Sequence, residues 1–332
     1  MNMQDNTRTA LIAAAWLVAM IVAPLFFYPV FLVKLLCFTL FAASFNLLLG
    51  YVGLLSFGHA AFFGTGGYLC AHALAVWGLP PEVALLIAMS TSAVLGAVIG
   101  FLAVRRQGIY FAMITLALGQ MVYFIYLQAP FTGGEDGILG VPAGRLFGVI
   151  DLGNPMQLYY SALAIVVVAL AVLWRVIHSP FGSILTAIRE NEARAVSLGY
   201  IPDRYKLGAF VLAATLAGLA GGVKAMAFRI ASLTDVTWQM SGEVVLMTLV
   251  GGIGTFFGPI AGAFAIGSME HFLAKSPVPA PVVIGAAFIL CVLLFRRGII
   301  GSLDQWLRPS RKRAAKETGA DPAQEQTNNP QH

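Results

Sequence analysis

Charged residues are scarce in this chain of 332 residues. Asp, Glu, Lys and Arg make up 11% of it, whereas hydrophobic residues make up 59%. Soluble domains carry about 25% charged and about 45–50% apolar residues, so the composition excludes an ordinary soluble fold. The net charge of +5 comes largely from loops and the C-terminal tail. It therefore indicates orientation in a membrane rather than nucleic-acid binding.

Motifs for nucleotide, metal or redox chemistry are also missing. The chain has no G-x-x-x-x-G-K-[ST] phosphate loop, no G-x-G-x-x-G after a strand, and no H-E-x-x-H or paired-cysteine motif. Its three cysteines (Cys37, Cys70 and Cys291) are an odd number, and all lie in apolar runs, which is typical of packing residues. No carboxylate pair or nucleophile–base set emerges. The sequence predicts no enzyme, no metal site and no cofactor.

Apolar runs of about 20 residues fill most of the chain, and each is long enough to cross a bilayer. They do not alternate apolar and polar positions as the strands of a membrane barrel would. The predicted fold is an all-α polytopic membrane protein. The first run has neither the charged start nor the cleavage site of a secretory signal, so we expect it to be retained. The predicted spans are residues 11–28, 30–49, 60–77, 83–104, 110–128, 158–176, 207–228 and 281–295.

Residues 241–273 form one further apolar run, broken by glycines. Arg105 and Arg106, the loop at 179–206 and the tail hold most of the positive charge, so all three are expected in the cytoplasm. The run must then enter and leave on one side. It is either a re-entrant pair, giving eight full spans, or two crossings, giving ten.

The predicted domain organisation follows from these spans. Residues 1–10 are expected to be a cytoplasmic N-terminus and residues 11–297 the transmembrane domain. Residues 298–332, rich in Lys, Arg, Gln, Asn and Pro, are expected to be a cytoplasmic tail that is largely disordered.

The segment 179–199 is too polar to cross a bilayer and too regular to be a simple loop. Ser179 and Pro180 are typical of a helix start, whereas Gly199 and Pro202 are typical of a stop. Glu192 lies within the apolar stripe of this helix, which indicates either docking into another protein or two short helices that meet near Asn191. The stripe comprises Leu185, Ile188, Ala195 and Val196.

Two glycine-broken segments resemble each other, GYVGLLSFGHA at 50–60 and GGIGTFFGPIA at 251–261. Interrupted apolar segments in both halves of a chain indicate a translocation path, although such glycines also serve close helix packing. The candidate path residues are Asn46, Gly53, Ser56, His59, Thr115, Gln120, Glu243, Gly252 and Gly254.

Several ionisable residues lie within the apolar runs. An ionisable side chain inside a membrane span is costly, so each is a candidate functional residue. His59 lies deepest, in a broken segment. It is expected either to line the path or to donate a hydrogen bond to a backbone group that the broken helix leaves without a partner. The others map near the outer ends of their spans, where they can snorkel to the interface. These are Lys224, Glu243, Glu270 and His271.

Together these stretches resemble the permease family of branched-chain amino acid ABC importers, the LivM-type subunit. The resemblance is carried by SPFGSILTAIRENEARAVSLG at 179–199 and YKLGAFVLAATLAGLAGG at 205–222. It extends through LLLGYVGLLSFGHAAFFGTGGY, GIYFAMITLALGQ, TGGEDGI, VLMTLVGGIGTFFGPIAGA and FRRGIIG, and so covers about residues 47–301.

The resemblance implies a non-catalytic permease in a bacterial inner membrane, with both termini cytoplasmic. It also implies a sister permease, two ATPase subunits, a periplasmic substrate-binding protein and membrane lipid as partners, and no nucleic acid. Relatives carry branched-chain amino acids, urea, amides or aromatic acids. The ATPase-coupling residues it implies are Ile188, Arg189, Glu190, Asn191, Glu192, Ala193, Arg194 and Gly199.

The coupling loop departs from the usual pattern at three positions. Arg194 follows Glu192–Ala193 where a second alanine is usual, Gly199 is one residue late, and Ser183 replaces a common basic residue. Two rival functions remain open on the residues alone. They are an ion-driven secondary transporter that uses His59 or Glu243, and an intramembrane enzyme.

Overall fold

The computed structural model describes residues 3–273 and 285–286, with side chains from residue 13 onward. The final predicted span at 281–295, Cys291 and the tail at 298–332 lie outside this part. Its helices are α1 (Met3–Val22), α2 (Pro29–Asn46), α3 (His59–Ala75), α4 (Pro81–Ala103), α5 (Gly108–Gln128), α6 (Pro155–Ile177), α7 (Pro180–Glu190), α8 (Glu192–Ser197), α9 (Pro202–Phe228), α10 (Trp238–Gly251) and α11 (Gly258–Leu273).

Proline marks the start of many of these helices. Five of them begin with proline, namely α2, α4, α6, α7 and α9. The first helical residue has no intrahelical partner for its N–H, so the missing donor costs nothing there. Pro202, expected to prevent continuation of the 179–199 helix, also begins α9.

Five helices of the described part are long and apolar enough to cross a membrane. They are Pro29–Val52, Pro81–Ala103, Gly108–Gln128, Pro155–Ile177 and Pro202–Phe228. The first joins α2 to a π-helical turn, Leu47–Val52. Two other predicted spans appear as α1 and the 17-residue α3. The architecture is that of an all-α membrane protein, as predicted.

The core is the α2–α3–α4–α9 group, which glycine brings close together. A Cβ at Gly66 of α3 would lie 2.5 Å from Cα of Gly218 in α9, and a Cβ at Gly67 would lie 3.4 Å from the carbonyl oxygen of Gly221. Small residues let helix backbones approach within a membrane, where apolar burial alone drives little association.

The broken run at 241–273 is a helical hairpin, α10 and α11, that lies along α2. At 14 and 16 residues the two helices measure about 21 and 24 Å, less than the about 30 Å of bilayer hydrocarbon. Lys34 of α2 pairs with Glu270 of α11 at 3.2 Å, whereas Asn46 at the other end of α2 contacts the turn between α10 and α11. The hairpin thus accompanies α2 over most of its length.

Helices α7 and α8 lie at one end of the bundle, hereafter the α7–α8 end. The opposite end carries the connection at 129–154, with 3₁₀ turns at Pro130–Thr132 and Leu233–Val236. Two short antiparallel pairs form there, β1 (Ile138–Leu139) with β4 (Ile230–Ala231), and β2 (Arg145–Leu146) with β3 (Ile150–Asp151). Glu135 and Asp136 are exposed, as expected of a solvated turn.

Candidate functional site

The segment 179–199 forms two short helices, α7 and α8, that meet at Asn191. The Asn191 side-chain oxygen accepts from the Arg194 amide at 2.9 Å and so caps α8. Ser179 stands at the N-cap of α7 without capping it, because its hydroxyl donates to the Val176 carbonyl instead. Gly199 follows α8 with φ of 87°, a left-handed conformation that favours glycine. Of the two sequence-based alternatives, two short helices is the one observed.

The predicted apolar stripe divides between the interior and the surface. Leu185, Ile188 and Ala195 are buried against the chain itself, whereas Val196 is 55% exposed. The prediction that Val196 shares a face with the other three is wrong, because the break at Asn191 rotates α8 relative to α7.

Glu192 has its partners within this chain. Lys206 of α9 pairs with one carboxylate oxygen at 2.7 Å, and the Gln107 amide donates to the other at 2.6 Å. Lys206 is only 3% exposed, so Glu192 neutralises a buried cation. The acid in the apolar stripe is therefore paired within the chain, beside the break at Asn191, and needs no group from another protein. No local sequence signal identifies Gln107.

Arg189 connects the coupling helices to the first glycine-broken segment. Its guanidinium donates to the carbonyl oxygen of Gly50, within the π-helical turn where the regular α-helical bonding pattern is lost. A Cβ at Gly53 would lie 3.1 Å from Cγ of Arg189, and one at Gly254 would lie 3.5 Å from its terminal nitrogen. One coupling residue therefore touches both glycine-broken segments.

The two broken segments have the same local structure. In each, a helix ends, a left-handed glycine follows (Gly53, φ 80°, and Gly254, φ 74°), and a new helix begins at or just after a Phe-Gly step. The two turns also touch, because a Cβ at Gly50 would lie 2.7 Å from the Gly254 amide nitrogen. The sequence similarity thus corresponds to a structural repeat whose halves are in contact.

Asn46 joins the two turns through its side-chain amide. Its nitrogen donates to the Thr255 carbonyl at 2.9 Å, and its oxygen accepts from the Gly254 amide at 2.9 Å. Asn46 is buried, and Gly252 ends α10 beside it with φ of 120°. The predicted residues Asn46, Gly53, Gly252 and Gly254 therefore lie together, next to Arg189.

Ser56, His59 and Thr115 form a second, deeper group around the start of α3. The His59 ring nitrogen Nε2 lies 2.9 Å from the Ser44 hydroxyl, which itself donates to the Phe41 carbonyl. His59 Nε2 is therefore the donor and Nδ1 the bare acceptor. Thr115 accepts from the Phe57 amide at 3.3 Å. Within the described residues, His59 Nδ1 and the Ser56 hydroxyl are buried without a hydrogen-bond partner.

Gln120 and Glu243 stand apart from both groups. Gln120 is half-buried on α5, and Glu243 is half-buried near the start of α10, toward the opposite end. Two ion pairs lie at the opposite end. Lys34 pairs with Glu270 and Lys224 pairs with Asp235. Lys224 and Glu270 were expected to snorkel, whereas the structure shows them in ion pairs.

The exposed surface of the α7–α8 end is apolar around α8. Val196, Leu198 and Ile201 are 55%, 71% and 50% exposed. Next to them lies a shallow pocket of about 310 Å³ lined by aromatic and basic side chains. Its lining residues are Phe181, Gly199, Tyr200, Ile201, Arg204 and Tyr205. Contiguous apolar surface with a polar rim marks interaction sites.

Comparison with known proteins identifies relatives among bacterial permeases. The chain is 29% identical over 278 residues to the high-affinity branched-chain amino acid transport system permease protein LivM of Salmonella typhimurium and to that of Escherichia coli. These matches cover 77% of this chain, which spans 65% of the relatives' length. An autoinducer 2 import system permease protein LsrC from Enterobacter is 29% identical over 64% of this chain and 62% of its own length. No solved structure matches the chain.

The family match covers most of the chain, including both glycine turns and the α7–α8 segment. The family model described as branched-chain amino acid transport system / permease component matches residues 28–295. The fold, the structural repeat and the relatives agree with it. The chain belongs to this family of transport-system permease components.

Proposed function

We propose that this chain is the membrane-spanning subunit of an ATP-binding-cassette importer for branched-chain or related amino acids. The contact of Arg189 with Gly50 carries the proposal. It joins an amphipathic helix pair with an exposed apolar surface to the broken segments that mark a path through the membrane. A chain without a phosphate-loop motif requires separate ATPase subunits to supply the energy.

The coupling mechanism follows from the connected contacts. Closure of the ATPase subunits moves α7 and α8, Arg189 transmits the motion to the turn at Gly50, and Asn46 transmits it to the turn at Gly254. Because the halves of the repeat are joined, both glycine turns move together and the path opens or closes as one gate. The path then continues past Ser56, His59 and Thr115.

The proposed topology has ten crossings, with both termini in the cytoplasm of a bacterial inner membrane. Although α10 and α11 are shorter than the hydrocarbon, the hairpin accompanies α2, a full span, from Lys34 to Asn46 and so passes through most of the bilayer, which supports two short crossings rather than a shallow re-entrant pair. The residues beyond 297 then form the cytoplasmic tail. Membrane lipid, a sister permease, two ATPase subunits and a periplasmic binding protein complete the proposed assembly.

The substrate class rests on the relatives named LivM, which are described as branched-chain amino acid permease proteins. Since a relative named for autoinducer 2 import also matches, the test requires a panel of substrates. Uptake of radiolabelled leucine, isoleucine, valine, urea, phenylalanine and autoinducer 2 would be compared in vesicles that contain the whole assembly. Saturable uptake of the three branched-chain substrates alone is the expected result.

Purification of the tagged chain from its own membranes in mild detergent tests the assembly. We expect to recover an ATPase and a second permease in stoichiometric amounts, and ATP-driven uptake after reconstitution. Recovery of the chain alone, with uptake driven by an ion gradient and no requirement for ATP, would overturn the proposal in favour of a secondary transporter.

A further inference from the structure

A deep apolar groove lies between α4, α6 and α9, away from the coupling helices and the glycine turns. Its volume is about 1040 Å³, and its walls are almost entirely aliphatic and aromatic. Helices α4 and α9 pack tightly behind it, because a Cβ at Gly222 of α9 would lie 3.1 Å from the side chain of Leu85, which lines the groove on α4. The groove is therefore closed on the inside and open to the bilayer.

The groove has the depth of one membrane leaflet. Along α6 it extends from Gln157 to Val172, about 22 Å at the rise of an α-helix. Half of a bilayer measures about 20–22 Å with its headgroups. A transmembrane helix of another subunit would need a groove of about 30 Å through the hydrocarbon alone.

The end of the groove away from α7–α8 is closed by the β2–β3 hairpin. Leu146, Phe147 and Ile150 line the groove there. A spanning helix laid along the groove would collide with this hairpin, whereas an acyl chain enters sideways from the bilayer. Phe147 and Val149 are 72% and 83% exposed, as expected of side chains that contact lipid at the interface.

The rim at the same end carries polar groups at headgroup level. Glu82, Gln157 and Tyr160 line it. One carboxylate oxygen of Glu82 accepts from the Phe147 amide at 3.3 Å, and within the described residues the other has no hydrogen-bond partner. A carboxylate at this level complements a cationic headgroup.

We infer that this groove binds a phospholipid with a primary ammonium headgroup, phosphatidylethanolamine, from the leaflet at the opposite end. The acyl chains fill the apolar groove and the ammonium binds Glu82. The groove takes no part in the proposed transport mechanism, so the inference of a lipid site does not depend on the proposed function. The bound lipid joins α4 to α6, two helices that separate around the groove.

The test is photolabelling of the full chain in its purified assembly, in vesicles of phosphatidylethanolamine and phosphatidylglycerol. The probe is a phosphatidylethanolamine with a diazirine on its acyl chain, and labelled residues are mapped by mass spectrometry. We expect labelling of residues 161–172 to exceed that of the lipid-exposed face of α5 (Met113, Met121 and Phe124) by about tenfold, a preference of about 1.4 kcal/mol. Excess phosphatidylethanolamine, and not phosphatidylglycerol, should compete.

Two variants and a matched control sharpen the test. Ala164→Phe fills the groove and should remove the excess labelling, whereas Val98→Phe, on an exposed face of α4 outside the groove, should leave it intact. In Glu82→Gln, excess phosphatidylethanolamine should compete with the probe no better than excess phosphatidylglycerol does. Equal labelling of α5 and α6, or crosslinks from the groove to another polypeptide, would overturn the inference.

Discussion

The contacts that hold the glycine turns differ in kind from those that hold the opposite end of the molecule. At the opposite end, Lys34–Glu270 and Lys224–Asp235 are largely buried ion pairs. At the α7–α8 end, the ion pair Glu192–Lys206 holds α8 to α9, whereas the glycine turns are held by hydrogen bonds from Asn46 and Arg189 to backbone groups.

The energies of these contacts differ. Removing one partner of a buried ion pair costs about 3–5 kcal/mol, whereas removing one partner of a buried hydrogen bond costs about 1–3 kcal/mol. The comparison indicates a fixed end and more easily moved glycine turns. These turns lie next to the coupling helices.

The largest expected loss of stability comes from Lys224→Met at the fixed end. It leaves the Asp235 carboxylate buried without its partner, and we expect the free energy of unfolding to fall by about 3 kcal/mol. Thermal unfolding in detergent measures this change. The double variant Lys224→Met with Asp235→Leu should recover most of the loss, and a double variant as unstable as the single one would contradict the ion-pair interpretation.

Asn46→Leu should have the next largest effect. It leaves the Gly254 amide and the Thr255 carbonyl without partners, for a loss of about 2 kcal/mol. Asn46→Asp keeps the acceptor for Gly254 but places a buried carboxylate against the Thr255 carbonyl, so it should lose at least as much. Unfolding midpoints and uptake are measured together, and normal uptake by Asn46→Leu would show that the two turns need not be joined.

Glu192→Gln should cost about 1 kcal/mol. It removes the charge that neutralises Lys206, while the partial exposure of Glu192 lowers the penalty. Glu190→Gln, on the exposed side of α7, is the matched control and should leave the unfolding midpoint unchanged. An equal shift of the unfolding midpoint in both variants would mean that the loss of one negative charge, and not the loss of the pair with Lys206, lowers the stability.

The smallest change in stability is expected from Val196→Ser and Leu198→Ser on the exposed surface of α8. Each should alter the free energy of unfolding by less than about 0.5 kcal/mol. Each should nevertheless weaken binding of the ATPase subunit by about tenfold, or ~1.4 kcal/mol. Val149→Ser, at a still more exposed position of the opposite end, is the control, and equal binding by all three variants would place the docking surface elsewhere.

The sequence predicted the elements better than the contacts between them. Apolar runs located the five long apolar helices. Glu192 within the apolar stripe left two short helices that meet near Asn191 as one of two alternatives, because both signals are local. The similarity of the glycine segments indicated a repeat. Which side chain joins its halves was not predictable, since Asn46 and its partners are more than 200 residues apart.

The partner of Glu192 was likewise not predictable from local sequence. An acid in an apolar stripe signals a partner, but the local pattern does not show whether that partner is Lys206 of the same chain or a group on another protein. At the opposite end, Lys34 and Glu270 are 236 residues apart. Lys224 and Asp235 are only 11 residues apart but lie on different elements, and neither Lys34 nor Asp235 carries a local motif.

The most direct test of the central claim is the ratio of substrate transported to ATP hydrolysed by the reconstituted assembly with Arg189→Gln. This variant loses the contact with Gly50, whereas Arg106→Gln loses the same charge at an exposed position outside the coupling helices. The account predicts that Arg189→Gln hydrolyses ATP but transports at least about tenfold less per ATP, a coupling loss of ~1.4 kcal/mol, while Arg106→Gln stays coupled. A wild-type ratio for Arg189→Gln would contradict it.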